Sequence, residues 1–184
     1  MEFDSASAGV SFGGLVSSSE IKILICYILN SVKEPVPATE LCESLYYEGI
    51  ANIFEISDNI KNLEKSGHIK MVNAEEESYT VTESGTEIAN TLKSSVPISV
   101  RDKGCFVTQK MLARRRNIRE TDIAITREDD KTFITCSAME KDIAIISVKL
   151  LVSDETQAVA IRNNFLENPS EIYSKIIDLF TENK

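Results

Sequence analysis

Apolar residues recur at helical spacing between Glu20 and Val32. Ile21, Leu24, Ile25, Ile28, Leu29 and Val32 form one stripe, and Ile23, Cys26 and Tyr27 add a second apolar face. A helix apolar around so much of its circumference must be covered from two sides. It is too short to cross a bilayer, which takes about 20 apolar residues, and Lys22 interrupts it. Ser17 to Ser19 offer capping oxygens, and Glu20 places a negative charge in the first turn. Glu34-Pro35-Val36-Pro37 ends the helix.

The same spacing predicts a second helix from Pro37–Thr39 to Glu48, with Leu41, Cys42, Leu45 and Tyr46 inward and Gly49 as its stop. Asn52 is placed to cap a third helix over 53–66, whose inward stripe is Ile53, Ile56, Ile60 and Leu63. Gly67 ends it. The period then changes from 3.6 to 2. His68 to Val72 and Ser78 to Val81 read as two strands around the polar turn Asn73 to Glu77. Thr82 caps a fourth helix running to about Lys93, with Ile88 and Leu92 inward. Helix, short turn, helix, hairpin is the order of a winged helix-turn-helix.

Pro97 opens the second half. Val100, Gly104, Val107, Met111, Arg115 and Ile118 recur at spacings of three and four, which predicts one long helix over 98–118 with a bend or a close contact at Gly104. Strand-like runs follow at 122–126, 132–139 and 143–152, joined by Glu128 to Lys131 and Glu140 to Asp142. Such short connections imply an antiparallel meander. Ser153 is placed to cap a helix over 154–166, with Ala158, Ile161 and Phe165 inward. Asn168-Pro169 starts the last, with Ile172, Ile176, Leu179 and Phe180 inward. Two such helices can cover one face of the meander.

The expected fold is α+β: a flexible arm over 1–14 with a short strand at 9–12, a winged helix-turn-helix over 15–96, a linking helix over 97–119, and a β-meander with two helices over 120–184. Of 184 residues, 42% are hydrophobic and 27% charged, enough for a core in one or two small domains. The first residues carry Glu2 and Asp4 with no base and no long apolar run, unlike a signal or transit peptide. Four cysteines with no C-x-x-C pair fit buried free thiols in a reducing compartment, and the expected location is the cytoplasm.

The net charge is −9. Residues 1–96 hold 6 Lys and Arg against 15 Asp and Glu, whereas 97–184 hold 14 of each. An acidic domain is a poor electrostatic match for nucleic acid, so the outer face of the third helix decides. There Asn62 and Lys65, flanked by Lys61, suit base edges and phosphates, while Glu55 and Asp58 oppose them. Asn52 could donate to a phosphate at the helix start. His68 and Lys70 lie on the expected wing, whose tip is Glu75-Glu76-Glu77. The run Lys110, Arg114, Arg115, Arg116, Arg119 could add phosphate contacts; a solvated helix face, or pairing with acidic groups, is the plainer reading of it.

Two expectations follow. The first is a dimeric regulator that binds double-stranded DNA through Asn52, Lys61, Asn62, Lys65, His68 and Lys70, with Arg114, Arg115 and Arg116 behind them. The second is an acidic module that docks a basic protein partner. The second apolar faces of the first and last helices, Ile23 with Tyr27 and Tyr173 with Ile177, suit either intrachain core or the homodimer interface. His68 is the sole histidine and cannot build a His-rich metal site, and Glu128 to Asp130 read as solvated turn residues. There is no phosphate-cradling glycine loop, no G-x-S-x-G and no Cys-His arrangement, so neither an enzyme nor a cofactor is expected.

A resemblance strengthens the fold expectation. Gly13-Gly14-Leu15, Glu20 to Tyr27, Glu34-Pro35, Gly49, Ala51-Asn52, Phe54-Glu55, Arg114 to Arg116 and Asn168-Pro169 with Tyr173 resemble a bacterial family known only as a domain of unknown function. Tyr79 to Gly85 is similar to the strand-to-helix junction of bacterial winged-helix regulators. The resemblance implies a winged-helix half, a strand-rich half and, by analogy, transcription regulation.

Overall fold

The computed structural model describes residues 9–181. They form α1 (Ser18–Val32), β1 (Val36–Pro37), α2 (Ala38–Tyr47), α3 (Ile53–Lys65), β2 (Ile69–Asn73), β3 (Ser78–Val81), α4 (Glu83–Leu92) and α5 (Ile98–Arg119). The chain continues with β4 (Thr121–Glu128), β5 (Lys131–Glu140), β6 (Ile143–Val152), α6 (Glu155–Glu167) and α7 (Pro169–Thr181). The architecture is mixed α+β, with two small antiparallel sheets in the orders β1-β3-β2 and β4-β5-β6. The chain divides into two compact units, Met1–Leu112 and Ala113–Lys184, so the division falls within α5.

In the first unit α1 is the core. Ile21, Ile23, Leu24, Ile25, Cys26, Ile28 and Leu29 are all buried. Each large aliphatic side chain so buried contributes roughly 1.5–3 kcal/mol. The helix is packed by α3, α4 and β3, and Leu41, Leu45, Ile56, Ile60 and Leu63 complete the cluster. The second face of α1 is therefore intrachain core. Ile23 is buried, and Tyr27 is half-buried with the Arg101 guanidinium 5.1 Å from its ring centroid. Gly104 is a close contact: a Cβ there would lie 3.0 Å from Ile28 Cδ1.

Several expectations are corrected. Residues 9–12 form no strand, and residues 1–8 lie outside the described residues. The loop that follows is tied down rather than free, because Ser11 N–H donates to Gly49 O at 2.8 Å and Leu15 N–H to Ile50 O at 2.7 Å. Gly49 permits this approach with φ +65° and no side chain in the way of Ser11. Ser17 occupies the α1 cap position, but its hydroxyl makes no capping bond. Leu92 is exposed, because α4 gives way there to a 3-10 turn over Lys93–Ser95.

The second unit has its own small core of Ile134, Cys136, Ala138, Val152, Ala158 and Phe165, with Ile161 and Ile172 packed on it. The α6 cap is Asp154, not Ser153. The Asp154 carboxylate accepts from Gln157 N–H at 2.7 Å, and Gln157 Oε1 accepts from Ser153 N–H at 2.8 Å. The bond from Gln157 N–H, and then one from the Ser153 hydroxyl at 3.1 Å, hold the Asp154 carboxyl below its usual pKa. Ile172 and Ile176 are half-buried as expected, but Leu179 and Phe180 are exposed. Among the described residues no helix is long and apolar enough to cross a membrane.

Candidate nucleic-acid interface

The stretch from the α3 cap to β2 carries six of the nine residues singled out from the sequence. Asn52 starts α3 as its cap, and its Oδ1 accepts from Phe54 N–H at 2.8 Å. It is buried. Its role is therefore to begin the helix, and it does not sit at the surface as a phosphate donor would. Ile56, Asn59, Ile60 and Leu63 point inward. The outward stripe is then Phe54, Asp58, Lys61 and Lys65, at i, i+4, i+7 and i+11, all exposed, with Asn62 exposed on its flank. Lys61, Asn62 and Lys65 thus share one solvent-facing surface, interrupted by one carboxylate.

The helix ends in a turn built for the hairpin. Gly67 takes φ +76°, and His68 N–H donates to Leu63 O at 2.9 Å. His68 O accepts from Thr82 N–H at 3.0 Å and from the Thr82 hydroxyl at 2.9 Å. Its Nδ1 lies 3.1 Å from Ser84 Oγ. His68 is half-buried in this junction, so it fastens α3, β2 and α4 together rather than standing out as a contact residue. Lys70 on β2 is exposed.

At the hairpin tip Asn73 Oδ1 accepts from the backbone N–H groups of Glu75 (3.0 Å) and Glu76 (3.3 Å). The carboxylates of Glu75 and Glu77 are exposed. At the hairpin base the Tyr79 hydroxyl donates to Glu64 Oε2 at 3.3 Å. Burial, with the Glu64 charge second, pushes the Tyr79 phenol pKa up.

Arg114, Arg115 and Arg116 belong to the second compact unit. Arg114 pairs with Glu167 at 3.3 Å, and Arg115 and Arg116 each engage a partner. All three arginines therefore have partners within the chain. Two features of this region went unread in the sequence. Asn59 is a buried polar residue on the inward stripe, signalled by its place between Ile56 and Ile60. Tyr47, at the end of α2, is exposed as Phe54 is.

Among the described residues no three of His, Cys, Asp and Glu gather to hold a metal. Cys26, Cys42 and Cys136 are buried free thiols, and Cys105 is half-buried. In the second unit a pocket of about 320 Å³ lies between β5, β6, α6 and α7, lined by Cys136, Val148, Leu150, Ile161, Phe165, Ile172 and Ile176. Asn164 is its one polar side chain.

These features belong to a mixed α+β protein with two small antiparallel sheets. Residues 21–180 match the family model described as "Domain of unknown function (DUF4364)", and the chain belongs to that family. Neither the curated proteins nor the solved structures give a match to the chain.

Proposed function

We propose that the first unit is a winged helix-turn-helix that binds double-stranded DNA and acts as a cytoplasmic transcription regulator. The observation that carries this reading is the joint placement of Lys61, Asn62 and Lys65 on the exposed face of α3, immediately ahead of a hairpin. A bare α-helix fits the major groove, about 12 Å wide. Asn62 then suits an adenine edge, Phe54 a thymine methyl group, and Lys61 and Lys65 the phosphates or guanine edges. Lys70 on β2 supplies a wing contact.

The test is fluorescence anisotropy of the chain against its own upstream DNA and against random DNA, at low and physiological salt. Each phosphate neutralised adds roughly 0.9 to the salt slope. Lys61→Glu combined with Lys65→Glu abolishes binding on this reading; undiminished binding by the double variant overturns it.

A second reading, an acidic module that docks a basic protein, is favoured by the carboxylates at the hairpin tip and by the exposed Tyr47 and Phe54 rings. On that reading a partner is captured and is lost when Glu75, Glu76 and Glu77 are changed to Lys.

A further inference from the structure

The two edges of the sheet β4-β5-β6 are built differently. The β4 edge carries Asp122, Arg127 and Glu128 within its eight residues, the charged pattern that keeps strand edges from pairing. β6 is the opposite edge, bonded on one side to β5 alone. Its ten residues hold a single charge, Lys149. That charge is turned back across the sheet: Lys149 Nζ lies 2.8 Å from Glu128 Oε1 on β4 and 4.6 Å from the Phe133 ring centroid on β5. The outer edge of β6 is left long and uncharged.

Beside it runs α7. Ile172 and Ile176 face the sheet, and Tyr173 lines a shallow pocket with Ile145 of β6. The remaining apolar stripe of α7 is uncovered. Tyr173, Ile177, Leu179 and Phe180 on α7, with Ile143 and Ile145 on β6, are between 36% and 86% exposed. At ~200 Å² for a fully exposed large side chain, they present about 700 Å² of apolar surface. That is close to the ~800 Å² per partner of a standard interface.

We propose that a second copy of this chain covers this surface. β6 pairs antiparallel with β6 of the other copy across a two-fold axis, joining the sheets into one of six strands. The α7 stripes then meet on the helical side of that sheet. One strand paired antiparallel with itself satisfies the self-complementarity that a two-fold interface requires. An uncharged face gives a copy of itself no like charges to bring together. This is an interface of the second unit, and it differs from the arrangement expected from the sequence in excluding α1. It does not depend on the nucleic-acid reading.

Sedimentation equilibrium of the full chain tests it. The wild type gives twice the 20.5 kDa chain mass at micromolar concentration. Ile177→Glu with Phe180→Glu, both at exposed positions, gives the monomer mass with unchanged circular dichroism. Hydrogen exchange supplies a readout independent of those variants: diluting the wild type deprotects the outward amides of β6 and leaves those of β4 unchanged. A wild type monomeric throughout overturns the proposal and leaves the surface to a different partner. A dimer whose mass and β6 protection are indifferent to the α7 charges overturns it as well.

Discussion

Ser18 Oγ donates a 2.7 Å hydrogen bond to Asn59 Oδ1, joining the first turn of α1 to the middle of α3. Asn59 completes its bonding by donating from Nδ2 to Glu55 O at 2.7 Å. It is 1% exposed, so no water can replace either bond. This one carboxamide fixes the rotation of α3 about its axis, and hence the face that carries Lys61 and Lys65. Asn59→Ala removes both bonds and leaves a gap, and we expect it to lower stability by about 1–3 kcal/mol. Ser18→Ala costs less, about 1 kcal/mol, because it removes one of the two bonds and leaves the Asn59 side chain in place. Urea unfolding of the two variants followed by circular dichroism checks the order.

Two helical glycines respond differently to an added methyl group. At Gly85 a Cβ would run into His68 O, a backbone atom already accepting from Thr82. At Gly104 it would meet Ile28 Cδ1 at 3.0 Å, the end of a side chain. Alanine gains about 1 kcal/mol of helix propensity at either site. Overpacking costs typically 1–3 kcal/mol where the neighbour cannot move. Gly85→Ala is therefore destabilising, by up to about 2 kcal/mol, and Gly104→Ala is close to neutral. The difference in urea midpoints between the two variants is the measurement.

What the sequence disclosed and what it hid have separate physical causes. The periodic stripe of α1 and the change of period after Gly67 are local signals, and the elements they predict lie within a residue or two of those observed. Burial at the ends of elements is not local. Leu179 and Phe180 continue the apolar pattern of α7 and yet are exposed. Side-chain spending is hidden in the same way: Asn52 and His68 are polar residues beside the expected interface, and each is consumed by the chain's own backbone and neighbours. Lys61, Asn62 and Lys65 remained exposed because the inward stripe of α3 left them no other direction.

Alkaline pH should destabilise the first unit. Burial pushes the Cys26 thiol up from 9.0 to about 11. Burial, helped by Glu43 and opposed by Lys61, does the same to Cys42, again to about 11. Tyr79 moves in the same direction. Below pH 9 both thiols are protonated in the folded and unfolded chain, and their contribution is fully present. Between pH 9 and 11 the unfolded chain releases these protons while the folded chain keeps them, so stability falls as pH rises. The loss is on the order of 2–3 kcal/mol per thiol. Urea midpoints measured from pH 8 to 11 check the slope, and Cys26→Ala should make it shallower.

The hairpin tip separates the two functional readings. If the hairpin follows a phosphate backbone, Glu75 and Glu77 stand within a Debye length of it, about 8 Å at physiological salt, and repel it. Changing Glu75, Glu76 and Glu77 to Gln keeps size and turn chemistry, because the turn is held by Asn73 Oδ1 and backbone N–H groups. DNA affinity then rises several-fold at physiological salt. The salt slope changes little, because it counts the phosphates met by Lys61, Lys65 and Lys70 and not the acids removed. A basic protein partner responds in the opposite direction, since it loses three carboxylates to pair with. Anisotropy with the upstream DNA and pull-down with the same variant therefore move apart. Unchanged DNA affinity in the Gln variant places the hairpin away from the duplex and leaves α3 as the sole reader.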